Sequence, residues 1–139
     1  MDIFQASWSA LQAEAAAYPW GVQIWMRVMA VSFAIGIVFA PWKSGARWMV
    51  AALAVNIFGL IAVKAAFPEL SRTEIGTVIH LIFWSFALLM IWKPEARIRL
   101  KAAPASGLNR IYLIWLVGAS GVMAASLVLD AITAAKILF

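Results

Sequence analysis

The sequence predicts an all-α membrane protein: four transmembrane helices in an antiparallel bundle, preceded by an amphipathic interfacial N-terminal helix. Three observations carry that expectation. Four long apolar stretches, about 20–40, 48–66, 75–92 and 111–130, each approach the ~20 residues a helix needs to cross ~30 Å of hydrocarbon. The 139 residues are 65% hydrophobic with a mean hydropathy of +0.94, too apolar for a soluble domain of this size. The charges are also sorted by side. The segments after the first and third stretches carry Lys43, Arg47, Lys93, Arg97, Arg99, Lys101 and Arg110, with Glu95 as their one acid. The opposite side holds Arg27, Lys64, Arg72 and Lys136 together with Asp2, Glu14, Glu69, Glu74 and Asp130. The positive-inside bias then places connections one and three in the cytoplasm. The chain therefore reads as a single integral domain over 1–139, in the bacterial inner membrane, with both termini on the periplasmic side.

Taken in order, residues 3–18 form the first element. Phe4, Trp8, Leu11, Ala15 and Tyr18 follow helical spacing, and Gln5, Ser9 and Gln12 share another face. With acids at Asp2 and Glu14 and a late apolar run, the segment does not read as a signal peptide. It is expected to lie over the outer end of the bundle or along the outer leaflet, with Pro19 closing it. Trp20 marks the outer edge of the first span, and Trp42, Trp48 and Trp92 mark the inner edge beside Lys43, Arg47 and Lys93. The tight connection from Pro41 to Arg47 makes spans one and two neighbours. Ser71-Arg72-Thr73-Glu74 has the S-x-x-E form of a capping box, which satisfies free N–H groups where span three begins. Pro94 can open a short basic helix through Arg97 and Arg99, and Pro104, Ser106 and Gly107 mark the return. Trp42-Lys43-x-x-Ala46-Arg47 recurs as Trp92-Lys93-x-x-Ala96-Arg97, an echo that the chemistry of cytoplasmic helix ends explains better than duplication does. Span four carries Gly118, Ala119, Ser120, Gly121, Ala124, Ala125 and Ser126, a belt of small residues that lets helices approach closely.

Composition removes several function classes. The net charge of +5 sits at helix ends facing anionic headgroups, so membrane lipid is the expected partner and nucleic acid is not. No cysteine means no thiolate nucleophile, disulfide exchange or Cys-based metal site within the chain. One histidine excludes a haem held between two His of one protomer. No cofactor and no metal site is assigned from the sequence.

The polar residues inside the spans are the candidates for function. Arg27 lies about seven residues past Trp20, roughly 10 Å below the outer edge at 1.5 Å per residue. It either snorkels along the lipid face or turns into the bundle or a protomer interface to bind a carboxylate, a phosphate or a backbone carbonyl, and the inward orientation is the expectation. His80 lies at a similar depth in span three, with Thr77 and Trp84 on its face. A lone His in a helix is more often a packed, hydrogen-bonded residue than a ligand. An ionisable group within a span is nonetheless a functional candidate by default. Asn56 suits an interhelical hydrogen bond, and Asp130 is expected to close span four, solvated or paired with Arg27 or Lys64. The predicted ligand-binding set is therefore Arg27, His80, Gln23, Asn56, Thr77, Trp84 and Asp130, around a polar pocket open outward. No catalytic residue is assigned.

Three functions fit. The first is binding or permeation of a small anionic or polar ligand through that pocket by a homo-oligomer. The second is an accessory subunit docked to a larger membrane complex. The third is a membrane enzyme acting on a quinone or lipid, with His80 moving a proton, and it is the weakest because no nucleophile with a paired base is present. Small multidrug exporters share the length and helix number but depend on a glutamate in the first helix. This chain has Arg27 there, so it does not resemble them.

Overall fold

The structure, a computed structural model, describes residues 2–103 and 106–138. Every regular element among the described residues is helical and no strand occurs among them, so the fold is all-α. The elements are α1 (Ile3–Ala16), α2 (Trp20–Ala34), α3 (Gly36–Phe39), α4 (Ser44–Ala66), α5 (Arg72–Ile79), a π-helical turn (His80–Trp84), α6 (Ser85–Ile91), α7 (Pro94–Ala102) and α8 (Gly107–Leu138). Four rods are long and apolar enough to cross a membrane: Trp20–Phe39, Ser44–Ala66, Arg72–Ile91 and Gly107–Lys136.

Local chemistry explains most boundaries. Extended backbone at Lys43 stops the preceding turn, and α4 starts at Ser44 rather than at 48. Ser71 and Glu74 make both halves of the expected capping box, so α5 begins where the motif predicts. Pro94 occupies the first turn of α7, where its missing N–H has no helical partner to lose. Pro104, expected to mark the return from α7, lies outside the described residues. The first span is interrupted at Ile35. The Trp115 indole donates to the Ser32 carbonyl at 2.8 Å, taking the acceptor that a continuous helix would offer to Gly36.

Span four departs from expectation. Asp130 does not end it: α8 continues to Leu138, because Ala131-Ile132-Thr133-Ala134-Ala135-Lys136 contains no Gly or Pro to stop it.

The main core lies toward the basic end, where Phe33, Met49, Trp84, Ile91, Leu116 and Met123 are almost fully buried. Close approach there relies on glycine. A methyl on Gly45 would meet the Tyr112 hydroxyl at 2.6 Å, and one on Gly36 would meet the Trp115 ring at 3.2 Å. Lys43 Nζ donates to Asn109 Oδ1 at 2.8 Å, so the starts of α4 and α8 lie at the same end.

At the other end α1 packs against α4 and α5. Leu11 is fully buried beside Leu60 and Ile75, whereas Ile3, Phe4 and Trp8 are exposed. The predicted apolar stripe of α1 therefore divides, and only its Leu11 edge docks. Glu14, three residues on and so on that edge, fastens the helix. Its carboxylate accepts from the Arg72 backbone N–H at the start of α5 and from Lys64 Nζ at 2.8 Å. Lys64, itself 8% exposed, also donates to the Leu70 carbonyl at 2.7 Å. Burial would raise the Glu14 carboxyl. The Lys64 hydrogen bond, the Arg72 N–H and both positive charges outweigh it and hold the group below the ordinary carboxylate range.

This clasp should respond to pH. With its folded value lowered, Glu14 contributes fully above the ordinary carboxyl value of about 4.3, and the contribution is lost as pH falls through the lowered value. Glu14→Gln should release α1 at neutral pH. Hydrogen exchange of α1 amides should quicken about 5–30-fold, the equivalent of about 1–2 kcal/mol. Unchanged exchange in the variant would show that α1 is held by Leu11 alone.

Candidate functional site

Three spans meet at one imidazole. His80 begins the π-helical turn of span three, Asn56 lies in the middle of α4, and Asp130 lies two turns before the end of α8. His80 Nδ1 is 2.8 Å from Asp130 Oδ2, and His80 Nε2 is 3.0 Å from Asn56 Oδ1. Thr77, buried one turn earlier, sets its hydroxyl 3.5 Å from Asp130 Oδ1, a long contact. The His80 and Asp130 side chains are only 12% and 16% exposed.

The π-helical turn positions the ring. Its i→i+5 bonding widens the helix locally, and single turns of this kind recur at functional sites. Here the rings of His80 and Trp84 stack with centroids 3.7 Å apart and planes 24° off parallel. Trp84 is fixed in turn: its indole donates to the Ala52 carbonyl at 3.3 Å, and Phe33 meets it edge-on at 5.1 Å. The stacked Trp84 ring covers one face of the imidazole and fixes its plane.

With oxygen acceptors at both nitrogens, the cluster suits a doubly protonated imidazolium. Turning the Asn56 amide over would present its N–H to Nε2 and suit the neutral ring instead, while Nδ1–H still donates to Asp130. The cluster can therefore satisfy either protonation state by one side-chain rotation. An imidazolium beside a carboxylate carries no net charge, the least costly condition away from water. Among the described residues no third His, Cys, Asp or Glu joins the pair in a group able to hold a metal ion.

Five of the seven sequence-predicted residues thus come together: His80, Asn56, Thr77, Trp84 and Asp130. Arg27 and Gln23 do not. Arg27 is exposed, on a stripe with Ile24, Val28 and Val31. The reason is angular: Met29, Phe33 and Gly36 make the packed face of the first span, and Arg27 lies two residues, about 200°, around the helix from Met29. Arg27 therefore does not face the interior of its own bundle, and within one chain it forms no shared pocket with His80. Asp130 pairs with His80, not with Arg27 or Lys64, because Lys64 is held by Glu14. Gln23 instead donates to the Ala16 and Tyr18 carbonyls at 3.1 and 2.9 Å, satisfying free carbonyls at the end of α1. Sequence reasoning missed the Glu14–Lys64 clasp. Its only signal was an acid three residues after Leu11 on an otherwise apolar edge.

A double-mutant cycle should detect the pair. Asp130→Ala alone leaves a buried donor unmatched and should cost about 1–3 kcal/mol of stability in detergent. Combined with His80→Ala, the loss should fall short of the sum by about 0.5 kcal/mol or more. Strict additivity would show that the contact carries no coupling.

No protein-family model, curated protein or solved structure matches this chain.

Proposed function

We propose that this is an integral protein of the bacterial inner membrane that binds or passes a small polar ligand in step with a proton on His80. Its four spans form an antiparallel bundle, with the basic connections in the cytoplasm, both termini periplasmic and α1 at the outer interface. The sorting of Lys and Arg supports the orientation. The exposed Ile3, Phe4 and Trp8, beside the clasped Leu11–Glu14 edge of α1, support the interfacial position.

One observation carries the function: a single imidazole joins three spans, and both of its nitrogens face groups able to follow a change in its charge. A ligand that competes for Asn56 or Asp130 would alter the hydrogen bonding of His80, and protonation of His80 would alter the site the ligand meets. Arg27 faces away from this centre, so the ligand is defined by hydrogen bonding more than by negative charge. An exchangeable proton in the outer half of a bundle whose inner half is a packed apolar core suits access from the periplasm.

A second reading, an accessory subunit or a homo-oligomer, is favoured by a different observation. Arg27 has an exposed charge among exposed apolar side chains, and Gly118, Gly121 and Ala125 leave one face of α8 open to close approach. A membrane enzyme acting on a quinone or lipid, with His80 moving a proton, is the third reading.

Two measurements test these proposals. Cysteines replacing Ser44 and Ser106 should escape an impermeant thiol reagent in intact cells, while one replacing the exposed Ser9 should react; the reverse pattern would invert the orientation. His80 is the only histidine, so imidazole ¹⁵N shifts of the labelled protein report it alone. They should change as pH is varied if the proton on His80 exchanges. Proteoliposomes holding a pH-sensitive dye should take up protons under an imposed potential, and His80→Gln should reduce uptake about tenfold or more. Shifts that ignore pH, with uptake equal in the variant, would sink the proton-linked function. Co-purification of a stoichiometric membrane partner would then put the accessory subunit first.

A further inference from the structure

Away from the His80 cluster, an open cavity of about 810 Å³ lies between spans three and four at the basic end. Its long wall is Ser85, Leu88, Leu89 and Trp92, at positions i, i+3, i+4 and i+7 of one helix face, with Leu127 of α8 opposite. Seven residues at 1.5 Å each make that wall about 10 Å long. At its end stand Lys93 and Arg97, which with Pro94 complete the lining.

The groove is built, not merely bare. Trp92 is held in place by its indole hydrogen bond to Ser120 Oγ at 2.9 Å. Arg97 is positioned by donating Nε to the Trp92 carbonyl at 2.8 Å, which directs one edge of the guanidinium to the chain and leaves its terminal nitrogens for another acceptor. Leu89 is 71% exposed, so the groove opens sideways from the bundle. The order of chemistry along it is apolar wall, interfacial Trp, then two cations.

We infer that this groove binds one anionic phospholipid of the inner leaflet, with an acyl chain along Leu88, Leu89 and Leu127 and its phosphate between Lys93 and Arg97. Charge complementarity selects the occupant. A zwitterionic lipid would match the wall but carries a cation of its own toward the two basic residues, and a partner helix would have to supply an acid at the one level where both cations stand. The inference rests on the proposed orientation for the leaflet, but the binding itself does not depend on orientation.

Native mass spectrometry of the full chain in detergent, titrated separately with phosphatidylglycerol and phosphatidylcholine, tests it. One phosphatidylglycerol should be retained with about tenfold preference or more, and Lys93→Gln with Arg97→Gln should weaken it about 25-fold, or about fivefold per cation. The charge-preserving pair Lys93→Arg and Arg97→Lys should retain the preference, and so should Arg99→Gln, a basic residue of α7 outside the groove. Ser85→Phe, which fills the deep end, should weaken retention of either lipid without removing the charge preference. Equal retention of the two lipids, or a loss in Arg99→Gln as large as in the double variant, would overturn the site. Displacement of the lipid by inorganic phosphate alone would reassign it to a free anion and also overturn it. Because the assay needs no intact membrane, a failed labelling pattern would refute the orientation without touching this result.

Discussion

A hydrogen-bonding group placed between apolar helices has no water to fall back on, so it is costly unless it finds a partner within the protein or points away from it. The bundle is organised by how those partners were found. His80 takes Asp130 and Asn56, Trp84 takes the Ala52 carbonyl, Trp92 takes Ser120, and Trp115 takes the Ser32 carbonyl. Every one of these bonds crosses from one span to another. In a surround as apolar as the helices themselves, packing and such bonds supply the association that water would otherwise drive.

The first span is where matching is least complete. Its inward face packs through Met29, Phe33 and Gly36, yet Trp25 Nε1 is buried without a hydrogen-bond partner among the described residues, and Arg27 turns its charge outward. Spans two, three and four are joined through His80, while span one is joined to span four mainly by apolar contact and the Trp115 indole. The span held least by polar bonds is also the one carrying an outward charge.

The two ends of the molecule divide the work differently. At the acidic end, polar side chains fasten backbone: Glu14 to the start of α5, Lys64 to Leu70, Gln23 to the end of α1. At the basic end most cations remain at the surface, and packing is carried by aromatic rings and by glycines that admit them. The His80 cluster lies between these regimes. It is backed by Trp84 and the dry core.

The sequence by itself determined the all-α class, four membrane-length helices, the start of α5 at its capping box and of α7 at Pro94, because length, hydropathy and cap chemistry are local. It also named five of the residues that gather at the candidate site, since a polar side chain in an apolar span is conspicuous wherever it points. Direction was beyond it. Arg27 and His80 lie at similar depth, and only the packing of Met29, Phe33 and Gly36 turns one outward while the π-helical turn sets the other against Asp130. Asp130 looked like a helix end because acids commonly close spans; in the tertiary structure it is a largely buried group hydrogen-bonded to His80 across the bundle. Rotation about a helix axis is a global property, fixed by which small residues let which neighbours approach, and no local pattern in the chain encodes it.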